Sequence, residues 1–403
     1  MMNQRRKVCI AGKNAIAVNA MRYVHSNFSD EVELYILPNK TDNGARNWQP
    51  SLRKEANYLS IPVVDLGDCY TMNDLLFISL EYDRIIKPHL FCSCALYNIH
   101  FSLLPKYKGM YTSAWPILNG ESTSGVTLHE IDSGIDTGAI IEQLEFAIEE
   151  MSCRDLYLAY MDNALELFKS NFQELLSGEV SCNSQSAEGA SYYSKASIEF
   201  DELRLNFNVT AFQVLQQFHA YSFRQFQLPK VEGVEFYQIR ILNSRSLCKP
   251  GTIISRDHEC FVVSTIDFDI ELKIDYLEAL IDLCKDSSSS DITELLKLVT
   301  DVNEFGRQGW SPLMVAAYYK NIEAVQLLVE SGADLNASNY NGTTVLMYAK
   351  DGAESAKDTS VLKWLLDSGV DTSIRDHRGK TVTEYCIENN EMRSLHAINM
   401  YIS

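Results

Sequence analysis

The chain has 403 residues, 46% of them hydrophobic, and it carries 54 acidic against 35 basic side chains, a net charge of −19. This length and apolar fraction predict a globular protein of two or three domains, and no run approaches the roughly 18 apolar residues of a membrane span. The acidic balance disfavours nucleic-acid binding, which needs basic side chains to neutralise phosphates.

The N-terminal residues and the cysteines indicate the compartment. The first apolar run is short, fits a first strand, and lacks the length and cleavage site of a signal peptide. Ten cysteines are scattered along the chain, with Cys92 and Cys94 forming only a CxC pair and no CxxC pair anywhere. Such usage is typical of free, mostly buried thiols in a reducing compartment. We therefore expect a cytoplasmic protein without a metal site.

The first part of the chain, residues 1–190, alternates candidate strands with helices. Residues 7–12 and 32–37 predict strands, and residues 15–25 predict the helix between them. This alternation predicts an α/β domain with a parallel sheet and a ligand site at the carboxyl ends of its strands. The turn after the first strand is not GxGxxG, so no dinucleotide cofactor is predicted. Asn14 in this turn is a candidate contact to a substrate phosphate or sugar; the other interpretation is an ordinary helix N-terminal turn.

A dense polar cluster follows the apolar run at residues 95–97, which predicts a buried strand. Asn98 and His100 lie two residues apart at the end of this strand, so their side chains project from the same face. A second predicted strand, residues 125–131, leads to Asp136 in a glycine-rich turn. An amide, an imidazole and a carboxylate on converging segments can hold an oxyanion, move a proton and position a water.

Taken together and in this order, these motifs resemble the formyltransferase family, which uses 10-formyltetrahydrofolate. The matching elements are Asn-x-His at 98–100, Ser-Leu-Leu-Pro at 102–105 and Asp-Thr-Gly at 136–138. Segments 75–88 and 109–120 are similar to the sugar N-formyltransferase branch in particular, and the similarity covers roughly residues 7–260. The resemblance implies a Rossmann-like catalytic domain.

The resemblance also implies roles for individual residues. Asn98, His100 and Asp136 would be catalytic: His100 accepts the proton of the attacking amine, Asn98 stabilises the oxyanion, and Asp136 orients His100 or a water. The folate cosubstrate would lie against the stretch 79–86 and contact Glu81, Tyr82, Ile86 and Asp132. The residues implied to contact the acceptor substrate are Asn14, Tyr107, Lys108, Met110, Tyr221 and Arg224.

The second part, residues 191–265, predicts a small β-rich region. A helix is expected over 210–221 and opens this region, and strands are expected over 236–242 and 260–264. In the sugar branch the matching helix meets the nucleotide, so Tyr221 would stack on thymine and Arg224 would pair with pyrophosphate. The alternative for Tyr221 is a partly buried helix-end tyrosine. Phe223 and Phe226 are predicted to be core residues, and the hairpin is expected to form a homodimer interface.

The third part, residues 266–403, contains an internal repeat. A Gly-Trp-Ser-Pro-Leu unit at Gly309 recurs as Gly-Thr-Thr-Val-Leu at Gly342, 33 residues later, and a third unit begins at Gly379, after a small insert at 353–358. The period and the Leu-Leu-x-x-Gly-Ala-Asp pattern resemble ankyrin repeats, which predicts an all-α domain. A polar loop is expected at 286–291, and the predicted capping helices are 277–283, 292–299 and 392–398.

Three roles for the repeats remain open. They could bind a partner protein, stabilise the enzyme dimer, or hold an accessory small ligand such as a second sugar nucleotide. Trp310, Tyr319 and Tyr340 are the aromatic candidates for the ligand interpretation.

The resemblance implies that the acceptor is an amino-dideoxyhexose linked to thymidine diphosphate (dTDP), made for a surface polysaccharide such as O-antigen. It favours 3-amino-3,6-dideoxyglucose. The alternatives are a 4-amino-4,6-dideoxyglucose enzyme and a non-enzymatic ankyrin protein whose folate site is degenerate.

Overall fold

The first part of the chain is an α/β unit built on one mixed sheet. The computed structural model describes residues 5–45, 48–200 and 203–402. The described residues of this part form eight strands: β1 (Arg6–Gly12), β2 (Val32–Pro38), β3 (Leu75–Leu80), β4 (Ala95–His100), β5 (Lys108–Gly109), β6 (Thr123–Glu130), β7 (Ile140–Ala147) and β8 (Tyr192–Tyr193). Six of them form a sheet in the order β2-β1-β3-β4-β6-β7, parallel from β2 to β4 and antiparallel at β6 and β7. β5 and β8 pair separately.

Helices cover both faces of this sheet, as the alternating pattern predicted. They are α1 (Asn14–Phe28), α2 (Leu52–Tyr58), α3 (Leu66–Thr71), α4 (Trp115–Leu118) and α5 (Cys153–Ser177), with 3-10 turns at Pro88–Leu90 and Lys195–Ser197. Alternate residues of β1 enter different cores: Val8 and Ile10 pack with α1 and α5, whereas Cys9 and Ala11 pack on the opposite face. Burial on both faces explains why all six residues of β3 are apolar or small.

Helix α5 illustrates how local sequence sets an element's bounds. The Ser152 side chain accepts from the Asp155 amide, and the Asp155 carboxylate accepts in turn from the Ser152 amide. This capping box satisfies two of the first-turn donors. The helix continues for 25 residues and ends at Gly178, which has a φ of 78°, a conformation that glycine adopts without strain.

The middle part is an antiparallel sheet packed on one helix. Its elements are α6 (Ala211–Tyr221), β9 (Lys230–Val231), β10 (Val234–Arg245), β11 (Ile253–Arg256), β12 (Cys260–Ser264) and β13 (Phe268–Ile274). The strand order is β11-β12-β13-β10-β9. The sheet therefore extends to Ile274, beyond the boundary at 265 expected from the sequence, because β13 lies between β10 and β12.

From Leu277 onward the described residues form helices without strands, which confirms the predicted all-α domain. They are α7 (Leu277–Leu283), α8 (Ser289–Leu296), α9 (Pro312–Tyr319), α10 (Ile322–Glu330), α11 (Val345–Ala356), α12 (Ser360–Asp367), α13 (Val382–Glu388) and α14 (Met392–Ile402). The side chains of Ser311, Thr344 and Thr381 cap the first helix of each repeat. The insert lengthens α11 to 12 residues against 8 in α9. The loop expected at 286–291 is shorter than predicted, because α8 begins inside it.

The repeats pack against the first part of the chain through aromatic and charged contacts. Trp48 is 4% exposed and its ring meets Tyr340 of the second repeat at 5.5 Å between centroids. Arg154 donates to the Tyr340 hydroxyl. The Arg378 guanidinium lies 3.0 Å from the buried Glu55 carboxylate. Within the described ranges, no helix combines the length and hydropathy needed to span a membrane.

Candidate active site

The sheet brings Asn98, His100 and Asp136 together at the end of β4. His100 Nδ1 lies 3.6 Å from Asp136 Oδ2, and His100 Nε2 lies 2.8 Å from the Tyr107 carbonyl oxygen. The histidine is 8% exposed. A carbonyl oxygen only accepts, so Nε2 of a neutral His100 carries the proton and Nδ1 presents its lone pair beside the carboxylate. His100 can therefore accept a proton at Nδ1, and Asp136 stabilises the imidazolium that results.

The loop 132–138 holds Asp136 in place. Asp132 Oδ1 accepts from the Gly134 amide at 3.0 Å and from the Thr137 hydroxyl at 2.6 Å, which closes the loop on itself. Asp136 Oδ2 accepts from the Gly109 amide at 2.9 Å. A Cβ at Gly138 would lie 1.8 Å from a carbonyl oxygen of β6. The glycines of this motif therefore permit the tight path that delivers the carboxylate.

His129 also belongs to this cluster and was not predicted from the sequence. It lies on β6 directly opposite Asn98. Its Nε2 is 3.1 Å from Asn98 Nδ2 and its Nδ1 is 2.7 Å from the Glu130 carbonyl oxygen. Burial, with a smaller contribution from neighbouring His100, lowers the pKa of His129 to about 4. His129 is therefore neutral in the physiological range. The signal that could have found it is its position on an alternating strand beside the Asn98 strand.

Comparisons with known proteins agree with this geometry. The Formyl transferase family model matches residues 72–166, and an ankyrin-repeat model (3 copies) matches residues 280–376. The methionyl-tRNA formyltransferase of Ureaplasma parvum is 31% identical over 211 residues, covering 48% of this chain and 68% of that protein. The chain belongs to the formyl transferase family. The Fervidobacterium nodosum methionyl-tRNA formyltransferase is also 31% identical, over 207 residues that cover 49% of this chain and 64% of that protein.

Two solved formyltransferase structures are more similar to this enzyme. WlaRD, a sugar 3N-formyl transferase crystallised with dTDP and 5-N-formyl-THF, is 38% identical with a TM-score of 0.62, covering 67% of this chain and 98% of its own. An N-formyltransferase from Helicobacter canadensis, in complex with folinic acid and dTDP-3-aminofucose, is 39% identical with a TM-score of 0.62, covering 67% of this chain and 100% of its own.

Asn14 and Glu81 form one hydrogen-bond network with Tyr157. The Asn14 amide donates to Glu81 Oε2 at 3.2 Å and to the Tyr157 hydroxyl at 2.6 Å, and that hydroxyl donates to Glu81 Oε2 at 2.5 Å. Burial raises the pKa of Glu81. Tyr82 and Ile86 pack in the core on the opposite side of the sheet from α1, and burial raises the pKa of Tyr82 to about 12. The structure thus connects Asn14 and Glu81, which the sequence treated as separate substrate and cosubstrate contacts.

Tyr107, Lys108 and Met110 occupy different environments. The Tyr107 ring is buried, stacks on Tyr193 at 5.9 Å, and its hydroxyl donates to Glu121 at 2.8 Å. Tyr107 contributes to the candidate site through its carbonyl, which accepts from His100. Lys108 pairs through its backbone in β5, and Met110 is 45% exposed. Of the three side chains, Met110 is the most exposed.

Tyr221 and Arg224, both predicted to contact the nucleotide, line different cavities. Tyr221 lines a pocket of about 570 Å³ with Trp115, Asn119 and Arg204. Arg224 is buried and lies 2.6 Å from Asp275, on a different cavity of about 610 Å³. The Arg224 guanidinium is thus engaged within the protein.

The two phenylalanines on either side of Arg224 lie in different environments. Phe223 is buried as predicted, whereas the prediction for Phe226 is wrong, because it is 63% exposed with its edge against Trp48.

The three aromatic residues proposed as ligand contacts in the repeats lie in three different places. Trp310 packs 4.3 Å from Tyr348 and lines a groove of about 430 Å³ between the repeats and α2. Tyr340 packs against Trp48, where the repeats meet the first part of the chain. Tyr319 is 47% exposed and lies beside Tyr318. Of these three residues, Trp310 is therefore the candidate for a ligand contact. Among the described residues, no group of three or more His, Cys, Asp or Glu side chains is placed to hold a metal ion.

Proposed function

We propose that this enzyme transfers the formyl group of 10-formyltetrahydrofolate to the amine of a dTDP-linked amino-dideoxyhexose, with 3-amino-3,6-dideoxyglucose as the favoured acceptor and surface polysaccharide as its use. The observation that carries the proposal is the arrangement of His100, whose Nδ1 lies 3.6 Å from Asp136 while Nε2 is held by a carbonyl. The two similar structures at 38 and 39% identity, one with dTDP and a formylated folate and one with folinic acid and dTDP-3-aminofucose, support the choice of substrates.

The residues supply three functions in this reaction. The neutral sugar amine attacks the formyl carbon, and His100 takes a proton from that nitrogen at Nδ1. Asn98 donates to the oxygen that becomes an oxyanion, while Asp136 stabilises the imidazolium. His100 then returns the proton to the departing folate nitrogen as the carbon–nitrogen bond breaks. The products are a sugar formamide and tetrahydrofolate, so one proton moves between the two nitrogens and none is consumed.

The pocket at Tyr221 is our candidate for the nucleotide. It is lined by Trp115 and Tyr221, whose rings suit a pyrimidine, and by Arg204, whose guanidinium suits a phosphate. Trp115 stacks on Tyr193 at 4.0 Å, and Tyr193 stacks on Tyr107, the residue whose carbonyl holds His100. This continuity supports Tyr221 in the role expected from the sequence. Arg204 replaces Arg224 as the proposed phosphate contact, because Arg224 is paired with Asp275.

A second candidate function concerns the repeats. The groove beside Trp310 is also lined by the rings of Tyr58 and Tyr348, and aromatic rings suit the stacking of a nucleotide base. Its cations Lys350 and Arg378 are already paired with Glu391 and Glu55, so the aromatic lining supports this candidate. A partner protein is the alternative occupant. Calorimetric titration with dTDP should give two sites per chain in the wild type and one in Trp310→Ala; one site in both would contradict the nucleotide assignment.

We also propose that the enzyme forms a homodimer through the middle sheet. Three large apolar side chains are exposed in that region, Leu247 at 96%, Ile254 at 44% and Ile266 at 55%, and a partner subunit would remove them from water. The cytoplasmic location stays a prediction from the sequence.

The function is tested by replacing His100 with Asn. Loss of the general base should lower kcat by about 100- to 10,000-fold, with little change in melting temperature. His258→Asn is the matched control, since that side chain is 72% exposed on a turn of the middle sheet. Turnover of His100→Asn within a few fold of the control would contradict the assignment.

A further inference from the structure

His129 is the one member of the polar cluster to which the proposed reaction gives no role. It is 2% exposed, lies opposite Asn98 in the β4–β6 register, and faces the same site as His100 and Asp136. We propose that His129 is a positioning residue for formyl transfer: its unprotonated Nε2 binds one amide hydrogen of Asn98, so that the second amide hydrogen is directed at the developing oxyanion. This inference rests on the proposed function and deepens it.

The hydrogen bonds fix which nitrogen of His129 carries the proton. The Glu130 carbonyl oxygen, 2.7 Å from Nδ1, can only accept, so Nδ1 bears the hydrogen. In a neutral ring Nε2 is then an acceptor. Asn98 Nδ2, at 3.1 Å from it, can only donate. The two contacts agree with each other, and reversing the Asn98 amide would place two acceptors face to face.

This orientation matters because an Asn side chain has two different ends. With its nitrogen held by His129, the amide keeps a second N–H available, and the structure shows no other hydrogen bond from this side chain to a described residue. With the amide reversed, its carbonyl oxygen would replace the nitrogen and repel an oxyanion. Holding the amide in one orientation before the reaction avoids reorganisation at the transition state.

Protonation of His129 would remove this control. An N–H at Nε2 would face the Asn98 amide hydrogens, and the amide would have to reverse. The titratable groups around the ring are His100, Asp132 and Asp136, of which Asp136 Oδ1 is 3.8 Å from Nε2. Burial, and to a smaller extent His100, disfavours the protonated ring, whereas the carboxylates favour it, and the pKa of His129 is about 4. The ring therefore remains an acceptor throughout the range in which an amine nucleophile operates.

A double-mutant cycle tests the inference, with Asn98→Ala, His129→Leu, the double variant and His129→Gln, each checked by thermal melting. His129→Leu should lower kcat about 10- to 100-fold with both KM values within about twofold, since the oxyanion donor is misdirected rather than lost. The kcat of the double variant should be no lower than that of Asn98→Ala alone. Gln at this position can place an amide oxygen near the position of Nε2, so His129→Gln should recover most of the lost kcat.

Each contrary result has a distinct meaning. Wild-type kcat in His129→Leu, or losses that multiply in the double variant, would overturn the inference while leaving formyl transfer intact. Absence of formylated product from the wild-type enzyme would instead overturn the proposed function. A measurement that needs no turnover distinguishes failure of the inference from failure of the proposed function. Long-range proton–nitrogen spectra of histidine-labelled enzyme should show His129 as the neutral Nδ1–H tautomer at pH 6. A cation or an Nε2–H tautomer would overturn the inference directly.

Discussion

Acid stability offers a quantitative check on the buried His129. Burial places its folded pKa at about 4 against an ordinary value of 6.5. Because the folded value is the lower one, the neutral ring stabilises the fold fully above pH 6.5, and this contribution is lost as the pH falls towards 4. A tenfold change in proton affinity corresponds to about 1.4 kcal/mol, so His129 contributes about 3 kcal/mol to the pH dependence of the free energy of unfolding. About 1 kcal/mol of this contribution is already lost at pH 5.5.

Replacing His129 with Gln removes the titration without emptying the position. Urea unfolding of both proteins at pH 8 and pH 5.5 should show the wild type losing about 1 kcal/mol more than the variant over this interval. His258→Gln, at a position 72% exposed, is the control and should behave as the wild type. Equal losses in the wild type and His129→Gln would refute a neutral, buried His129 and with it the hydrogen-bond pattern around Asn98.

Two further predictions concern other buried contacts. Burial raises the pKa of Glu81, so the stability that this carboxyl provides is greatest below about pH 4.5 and is lost as the pH rises through its folded pKa. Glu81→Gln should therefore raise the melting temperature by more at pH 8 than at pH 5.5. A gain in melting temperature that grows on acidification would contradict this. Tyr340→Ala removes the ring that contacts Trp48 and should lower the free energy of unfolding by about 3 kcal/mol or more, measured by chemical denaturation. Tyr340→Phe loses only the hydroxyl contact to Arg154 and should lower it by about 1 kcal/mol. Equal losses in the two variants would show that the ring contact does not contribute to stability.

The sequence predicted elements whose signals are local. The strand ending in Asn98 and His100 and the helices of each ankyrin repeat depend on residues close together in the chain. Such features follow from propensity and periodicity without knowledge of the fold.

Contacts set by register and packing could not be predicted in this way. His129 meets Asn98 only because β4 and β6 pair in one register. Arg224 pairs with Asp275, 51 residues away, which its neighbours in sequence do not reveal. Phe226 alternates with polar residues like a core residue, yet it lies at an exposed edge beside Trp48. The proximity of Asn14 to Glu81 likewise depends on the adjacency of β1 and β3.

The central claim is formyl transfer from folate to a dTDP-linked amino sugar by Asn98, His100 and Asp136. The most direct measurement is a turnover assay with 10-formyltetrahydrofolate and two acceptors, dTDP-3-amino-3,6-dideoxyglucose and dTDP-4-amino-4,6-dideoxyglucose, with product identified by mass spectrometry. We expect a formamide from the 3-amino sugar, little from the 4-amino sugar, and none from either with His100→Asn. Product from the 4-amino sugar alone would correct the acceptor, and no product from either sugar with folate still bound would contradict the account.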